Sequence, residues 1–210
     1  MARENEILRR QNAALLARIP GSAYDRSVDT TAVTDSLWQQ RFTYLAPRIV
    51  NKSPYGPHNT LIIDRGSDLG VERGQGVVTD GGVLGIVTEV TPRHARVVSI
   101  LHLDTRISAG LGNNAYGTLR WDGHDPRRVT VTDVPDYVAV APNDTVFTTG
   151  YSNVYPSGLP VGVVESSEPL PGTGSQNLTV LLLSDPLTAS NGYVVRDLFK
   201  EELQRLNHGR

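Results

Sequence analysis

The feature that most limits the fold of this 210-residue chain is an internal repeat of short β-type segments. In the body of the chain, β-branched and leucine-rich runs alternate with Gly, Pro, Asn and Asp, which is typical of strands joined by tight turns. Residues 71–79 match residues 140–148 position for position in apolar and turn character. After an eight-residue insertion in the second copy, residues 160–165 match residues 83–88. We infer that one small β unit is present twice.

These runs predict an all-β fold with an N-terminal α-helix, in which two small six-stranded-type β-barrels follow a coiled-coil helix. No amphipathic helix interrupts the β-rich body, which argues against alternating strand–helix units. Since one repeat alone would bury little apolar surface, we expect the two barrels to pack side by side. The expected domains are a coiled-coil helix at 1–20, a linker at 21–43, a first β-barrel at 44–112, a second β-barrel at 113–197 and a C-terminal tail or short helix at 198–210.

The first residues carry the heptad spacing of a coiled coil within a run of strong helix formers. Asn5, Asn12 and Ile19 occupy a positions. Leu8 and Leu15 occupy the d positions between them. Because asparagine at an a position favours two strands and fixes their register, we expect these five residues to form a homodimer interface. The alternative is a helix that packs an apolar stripe on its own body, since two heptads alone are marginally stable in water.

Composition excludes several classes of function. The chain has no cysteine, so disulfides, thiol nucleophiles and thiolate metal sites are ruled out. The formal net charge is −2, with acidic and basic residues interleaved, which argues against a protein that grips nucleic acid. No apolar run reaches the ~20 residues that a membrane-spanning helix needs. Because the sequence begins in the middle of a helical pattern, we expect it to be part of a longer protein.

The sequence offers no recognisable catalytic, metal-binding or cofactor-binding motif. None of the five histidines lies in a His-x-x-x-His, His-x-His or Glu-x-x-His pair, so a local zinc site is not expected. His94 or His102 with Asp104 could supply part of a catalytic triad, but no serine lies in a Gly-x-Ser-x-Gly elbow. We therefore expect no enzyme activity, no metal and no cofactor, with a degenerate hydrolase on a double-barrel fold as one alternative.

The insertion in the second copy is the best candidate for partner binding. It places Tyr151, Val154 and Tyr155 among Gly, Ser, Asn and Pro residues, and tyrosine is enriched among the residues that dominate interface energy. The alternative, weighed equally, is that Val154 or Tyr155 folds back and closes the end of the second barrel. Tyr116 and Trp121 are instead expected to form cross-strand pairs in the core.

Two motifs in this order resemble the family of the rod shape-determining protein MreC. The first is Gly-Ser-Asp-Leu-Gly-Val-Glu-Arg-Gly at residues 66–74, within a longer similar stretch at residues 61–78. The second is Tyr-Pro-Ser-Gly-Leu-Pro-Val-Gly at residues 155–162. The resemblance covers residues 4–196. The two motifs together are specific, whereas either one alone would be weak.

The resemblance implies a non-enzymatic scaffold of the bacterial cell-elongation machinery that maintains rod shape. Such a scaffold would lie in the periplasm, on the extracytoplasmic face of the inner membrane, anchored by a helix that precedes residue 1. It would form homodimers, bind and organise a class B penicillin-binding transpeptidase, and join MreD and the MreB/RodZ complex. From the residues alone, an alternative stays open: a self-assembling coiled-coil and β-barrel adaptor of an envelope secretion or efflux complex.

Overall fold

The computed structural model describes residues 2–16, 23–25, 38–53, 56–112 and 115–207. Within these ranges, two α-helices flank a body of β-strands, and a short 3-10 helix follows the fifth strand. The helices are α1 (Ala2–Leu16) and α2 (Lys200–Asn207). The strands are β1 (Ala23–Asp25), β2 (Trp38–Gln40), β3 (Phe42–Leu45), β4 (Ile49–Ser53), β5 (His58–Ile63), β6 (Gly76–Thr79), β7 (Gly82–Val90), β8 (Ala95–His102), β9 (Ile107–Leu111), β10 (Ala115–Arg120), β11 (Arg128–Pro135), β12 (Thr145–Thr148), β13 (Pro160–Leu170), β14 (Ser175–Leu182) and β15 (Tyr193–Asp197).

Strands β9 to β14 form a closed six-stranded barrel in the order β10-β11-β14-β13-β12-β9. The ring closes because β9 pairs antiparallel with both β10 and β12. Side chains alternate between inside and outside with the period of two that a strand requires. On β14, every second residue from Gln176 to Leu182 is buried. Closure of the ring satisfies the strand edges that an open sheet would expose.

Seven of the other strands form an open sheet in the order β3-β15-β6-β7-β8-β5-β4. Strands β1 and β2 form a separate two-stranded sheet. Read from the β4 edge, six strands of the open sheet follow the order β4-β5-β8-β7-β6-β15. This is the same relative order as β10-β11-β14-β13-β12-β9 in the closed barrel, so β15 holds the position that β9 holds there. The open sheet is a half-barrel, and an isolated bridge links Arg48, just before β4, to Asn191, just before β15. The predicted all-β fold with an N-terminal helix is confirmed, and the first unit is the open version of the second.

Two strands belong to a different unit from the one that their sequence ranges predicted. The strand β9 falls within 44–112 but belongs to the closed barrel, and β15 falls within 113–197 but belongs to the open sheet. Both corrections have one cause: the closed barrel is inserted between β8 and β15, so the chain leaves the open sheet and later returns to it. In the open sheet β15 finds a hydrogen-bonded neighbour on each side, β3 and β6.

The open sheet is buried on both faces along β6 and β7. Neighbouring residues of a strand point to opposite faces of the sheet. Val77 and Leu84 therefore join the core of the open sheet itself. Val78 and Val83 join a second core that continues into the closed barrel. Burial on both faces explains the consecutive apolar residues of these strands, and it makes the two units one packed body.

Helix α1 packs against the body along one side. Ala13 is buried, and Leu16 packs on the same apolar cluster. The Arg9 guanidinium donates hydrogen bonds to the carbonyl oxygens of Ala46 and Pro47. This side of the helix therefore fits the alternative in which the helix packs on the β body of the same chain. Of the two helices in the described part of the chain, neither is both long and apolar enough to cross a membrane.

Candidate functional site

The loop between β12 and β13 carries the predicted partner-binding residues, and the structure gives them different positions. Tyr155 is only 2% exposed. Its hydroxyl donates a 2.6 Å hydrogen bond to the carbonyl oxygen of Gly85 on β7. Burial raises the pKa of the Tyr155 hydroxyl, so this group stays a protonated donor. The expectation that Tyr155 contacts a partner is corrected, because its side chain is enclosed between the closed barrel and the open sheet.

The open sheet receives the Tyr155 ring at Gly76, where any side chain would collide. A Cβ atom on Gly76 would lie 2.4 Å from the Tyr155 ring and 2.6 Å from the Val154 carbonyl oxygen. The loop itself is held by Thr148, whose hydroxyl donates a 2.5 Å hydrogen bond to the carbonyl oxygen of Pro156. The glycine in β6 and the hydroxyl on β12 thus fix the position of the loop from opposite sides.

Tyr151 lies at the outer part of the same loop and remains accessible. It is 69% exposed and packs edge-on against Tyr116 of β10, which is 43% exposed, with ring centroids 5.3 Å apart. A hydrogen bond with Tyr151 raises the pKa of Tyr116. Tyr116 is therefore not the core residue that we expected, whereas Trp121 is buried and donates a 2.8 Å hydrogen bond to the Asp125 carbonyl oxygen. We call Tyr116 and Tyr151 the exposed tyrosine pair.

Val154 is half-buried and lines a cleft of about 330 Å³ between this loop, the turn before β6, β15 and α2. At the cleft, Asp197 pairs with the Arg41 guanidinium at 2.8 Å. The same guanidinium donates a 3.0 Å hydrogen bond to the side-chain oxygen of Asn153. These contacts tie the loop to the open sheet. Of the three predicted loop residues, Tyr151 alone presents most of its side chain to solvent.

The predicted self-association residues lie on α1, apart from Ile19, which is outside the described residues. Leu8 is 52% exposed and Leu15 is 59% exposed. Asn12 is also exposed, and Asn5 belongs to the helix although its side chain is not described. The two d-position leucines therefore face away from the body and leave an apolar stripe on the surface of a single chain.

Strand pairing brings His58 next to His102 and Asp104, so that three side chains that could bind a metal ion lie together. From the sequence alone, His102 is considered with Asp104 but not with His58. His58 of β5 is the direct cross-strand partner of His102 on β8. One ligand atom from each of these residues and from Asp104 lies within 4.8 Å of the other two. Because the histidines are far apart in sequence, only the register between β5 and β8 could have predicted the cluster. Among the hydrogen bonds of the described residues, none brings a serine hydroxyl to His102, so the triad considered above is not assembled there.

Comparison with known families decides which group of proteins shares this fold. The family model described as "Rod shape-determining protein MreC, barrel core" matches residues 49–196. The match covers the whole closed barrel and nearly all of the open sheet. The chain belongs to the MreC family. The resemblance stated from the two sequence motifs is thereby confirmed.

Two curated MreC proteins are related to this chain in sequence. The cell shape-determining protein MreC of Listeria monocytogenes is 26% identical over 140 residues, which covers 65% of this chain and 47% of the relative. The MreC of Escherichia coli is 30% identical over 152 residues, which covers 62% of this chain and 38% of the relative. The chain spans less than half the length of these two relatives.

Solved MreC structures share the fold at lower sequence identity. The MreC of Listeria monocytogenes superposes with a TM-score of 0.71 and 22% identity, covering 93% of this chain and 89% of that one. The major periplasmic domain of the cell shape-determining filament MreC gives 0.66 and 21%, covering 76% and 98%. MreC in a complex with the penicillin-binding protein PBP2 from Helicobacter pylori gives 0.60 and 14%, covering 75% and 99%. The closed barrel and the half-barrel are thus the architecture of MreC structures.

Proposed function

We propose that this protein is a non-enzymatic scaffold of the bacterial cell-elongation machinery, and that it maintains rod shape by organising a peptidoglycan transpeptidase. The observation that carries the proposal is the MreC family match over residues 49–196, which includes both β units. A scaffold needs accessible surfaces for several neighbours at once. The exposed tyrosine pair and the leucine stripe of α1 are two such surfaces.

The proposed partner is a class B penicillin-binding transpeptidase. The solved complex of PBP2 with MreC from Helicobacter pylori supports this choice. On this chain, we assign the contact to the exposed tyrosine pair, with Val154 at the adjacent cleft. Tyrosine combines a large apolar ring with a hydroxyl that can stay hydrogen-bonded, which is why it carries much of the energy of protein interfaces.

Self-association through α1 is part of the same proposal. Leu8 and Leu15 would pair between two parallel helices at d positions, with Asn5 and Asn12 setting the register and Ile19 extending the seam. We further propose MreD and the MreB/RodZ complex as neighbours. The location would be the extracytoplasmic face of the inner membrane, with an anchoring helix before residue 1. The solved relative described as a major periplasmic domain supports this location.

Depletion of the protein in its own bacterium tests the scaffold function. We expect the cells to lose their rod shape and become round, because a transpeptidase without its scaffold no longer inserts wall material along the cell length. Re-expression of the full-length protein should restore the rods. Cells that keep their rod shape and width after complete depletion would overturn the proposal.

The partner surface is tested by the variant Tyr151→Ala in a binding titration with the purified transpeptidase. Loss of a central interface tyrosine should weaken binding by about tenfold or more. The matched control is Tyr137→Ala, because Tyr137 is 85% exposed on another loop of the same barrel and should leave the affinity unchanged. Equal affinity of both variants and the parent chain, at equal thermal stability, would remove the tyrosine pair from the interface without removing the scaffold function.

A further inference from the structure

Two histidines meet on one face of the open sheet. His58 and His102 are antiparallel partners in register, so their side chains project to the same side of the sheet. Their ring centroids are 4.8 Å apart and the rings are tilted by 55°. The His58 side chain is exposed, whereas that of His102 is 12% exposed. Two imidazole rings are therefore held together where β5 begins and β8 ends, and one of them is open to solvent.

Asp104 places a carboxylate beside the histidine pair. Its Oδ2 atom lies 3.9 Å from Nδ1 of His102, and its side chain is 82% exposed. The exposed carboxylate is free to change rotamer toward the rings. The backbone that carries it is fixed, because the amide of Leu103 donates a 3.0 Å hydrogen bond to the carbonyl oxygen of Pro57, next to His58. The three side chains thus stand on paired strands and a tethered turn.

We propose that His58, His102 and Asp104 form a binding site for a transition-metal dication such as Zn²⁺. One ligand atom from each residue lies within 4.8 Å of the other two. On a tetrahedral zinc ion with bonds of about 2.0–2.1 Å, neighbouring ligand atoms are roughly 3.3 Å apart. The longest separation therefore has to close by about 1.5 Å, which exposed His58 and Asp104 side chains can do by rotation.

The donor set selects the class of metal. Imidazole nitrogen suits Zn²⁺, Cu²⁺ and Ni²⁺, whereas Mg²⁺ and Ca²⁺ prefer sites built from oxygen. Burial, and next the neighbouring His58, lower the pKa of His102. Nδ1 of His102 accepts a hydrogen bond from the Asp104 amide, so this nitrogen carries a lone pair that a metal can use.

We expect weaker binding than at a structural zinc site. A metal on Nδ1 of His102 would replace the 3.1 Å hydrogen bond that this nitrogen accepts from the Asp104 amide. Three protein ligands on an open surface, with one hydrogen bond exchanged, bind less tightly than the enclosed four-ligand sites of structural zinc. The fourth position would be taken by water.

The test is calorimetric titration of ZnCl₂ into the 210-residue chain, purified without a polyhistidine tag and in a buffer that does not chelate metals. We expect one Zn²⁺ per chain, with little heat from Mg²⁺ or Ca²⁺. His58→Gln and Asp104→Asn change exposed side chains and should leave the fold intact. We expect His58→Gln to weaken binding at least about tenfold, since losing even a supporting residue of a metal site costs about that much.

The matched control is His124→Gln, because His124 is exposed and lies outside the cluster, so its loss should leave the affinity unchanged. A second readout is thermal unfolding. Zn²⁺ at about 100 times its Kd stabilises the folded chain by roughly 2.7 kcal/mol and should raise the Tm of the parent chain by about 5–11 °C. This shift should disappear in His58→Gln.

Three results would overturn the proposal. They are the absence of saturable Zn²⁺ binding, binding to His58→Gln that equals binding to the parent chain, and loss of affinity in His124→Gln of the same size as in His58→Gln. The last result would mean that histidines across the surface bind the ion without a defined site.

Discussion

At the residue scale, two glycines of the open sheet leave space for different neighbouring groups. Gly76 makes room for the Tyr155 ring, which a Cβ atom would approach at 2.4 Å. Gly85 makes room for the next strand, because its Cβ atom would lie 2.1 Å from the Val98 carbonyl oxygen. Gly85 also offers its carbonyl oxygen to the Tyr155 hydroxyl. One part of the contact between the two units therefore depends on an aromatic ring and on the absence of a side chain opposite it.

Replacing Gly76 tests this fit. Gly76→Ala should lower the free energy of unfolding by about 2 kcal/mol, because overpacking a filled core costs about that much. In a Tyr155→Ala background the added methyl group no longer meets the ring and only the Val154 carbonyl oxygen, at 2.6 Å, stays in its way, so its cost should be smaller. Urea unfolding of the parent, the two single variants and the double variant measures the difference as a coupling energy. Tyr155→Ala alone should cost about 3–5 kcal/mol.

Gly117→Ala is the control for this cycle. The atoms nearest to its added Cβ all belong to β11, with the Thr132 carbonyl oxygen at 2.4 Å, so its cost should be the same with and without the Tyr155 ring. If Gly76→Ala costs as much without the Tyr155 ring as with it, the ring does not occupy the space at Gly76.

Asp64 gives the open sheet a pH-dependent contact. Arg48 donates to it twice, from its amide to Oδ1 at 2.7 Å and from Nε to Oδ2 at 2.9 Å. Burial by itself would raise the pKa of Asp64, but the hydrogen bonds from Arg48 and the charges of Arg65 and Arg48 together outweigh it, so the pKa is lowered. A carboxyl whose pKa is lower in the folded state stabilises the fold above its unfolded pKa, about 3.9, and loses that effect as the pH falls through its folded pKa.

We therefore expect Asp64→Asn to reduce the free energy of unfolding by about 1 kcal/mol at pH 7, a modest value because the Arg48 side chain is 68% exposed. The difference from the parent chain should shrink as the pH is lowered below 4. Urea unfolding at several pH values measures it. The exposed Asp136→Asn is the control and should show little change at any pH, whereas a pH-independent effect of Asp64→Asn would contradict the argument.

At the element scale, α1 presents different residues to the β body and to solvent. Ala13 and Leu16 pack on the body, while Leu8 and Leu15 are exposed. Asn12 stands near the boundary, since it hydrogen-bonds to Tyr193, whose pKa is raised mainly by burial. The self-packing hypothesis and the proposed pairing therefore concern different faces of the helix and do not exclude each other.

Charges on the exposed face of α1 should disrupt self-association without unfolding the body. We expect Leu8→Asp combined with Leu15→Asp to shift sedimentation equilibrium toward the monomer, because apolar d positions drive coiled-coil pairing. The circular dichroism of the β body should stay unchanged. Gln11→Asp combined with Ala14→Asp adds the same charge at exposed positions outside the a and d set. A dimer that persists equally in both double variants would refute the role of the leucines.

At the scale of the whole molecule, the order of the chain makes the two units unequal. All six strands of the closed barrel are consecutive, from β9 to β14. The open sheet receives β15 only after the entire closed barrel has been traversed, and β15 supplies the neighbour of both β3 and β6. The closed barrel can therefore form from one continuous segment, whereas the open sheet needs both ends of the body.

Two fragments should show this difference. Residues 104–184 contain every strand of the closed barrel, and we expect them to unfold cooperatively, though at a lower temperature than the full chain because the face around Tyr155 is uncovered. Residues 38–112 lack β15 and carry an unpaired β9, so we expect no cooperative transition. Thermal circular dichroism and the dispersion of amide proton resonances measure both. Cooperative unfolding of the 38–112 fragment would contradict this account.

Much of the fold followed from local pattern. The alternation of apolar residues and turns predicted the strands, their repetition predicted two related units, and the two motifs at residues 66–74 and 155–162 predicted the family. These properties depend on neighbours within a few residues, which the sequence displays directly. The exposure of Leu8 and Leu15 follows from the same heptad spacing that suggested pairing.

Tertiary structure alone decided which strands pair across long separations. No local pattern distinguishes β15 from β9 as a partner, and the choice depends on which arrangement satisfies the backbone hydrogen bonds of every strand. The same holds for Tyr155, which local composition could not separate from the exposed Tyr151, and for His58 and His102, which meet only through the register of β5 and β8. Local sequence therefore predicts whether a segment is a helix, a strand or a turn, whereas the packing of distant segments determines which side chains are buried, which are exposed and which are brought together.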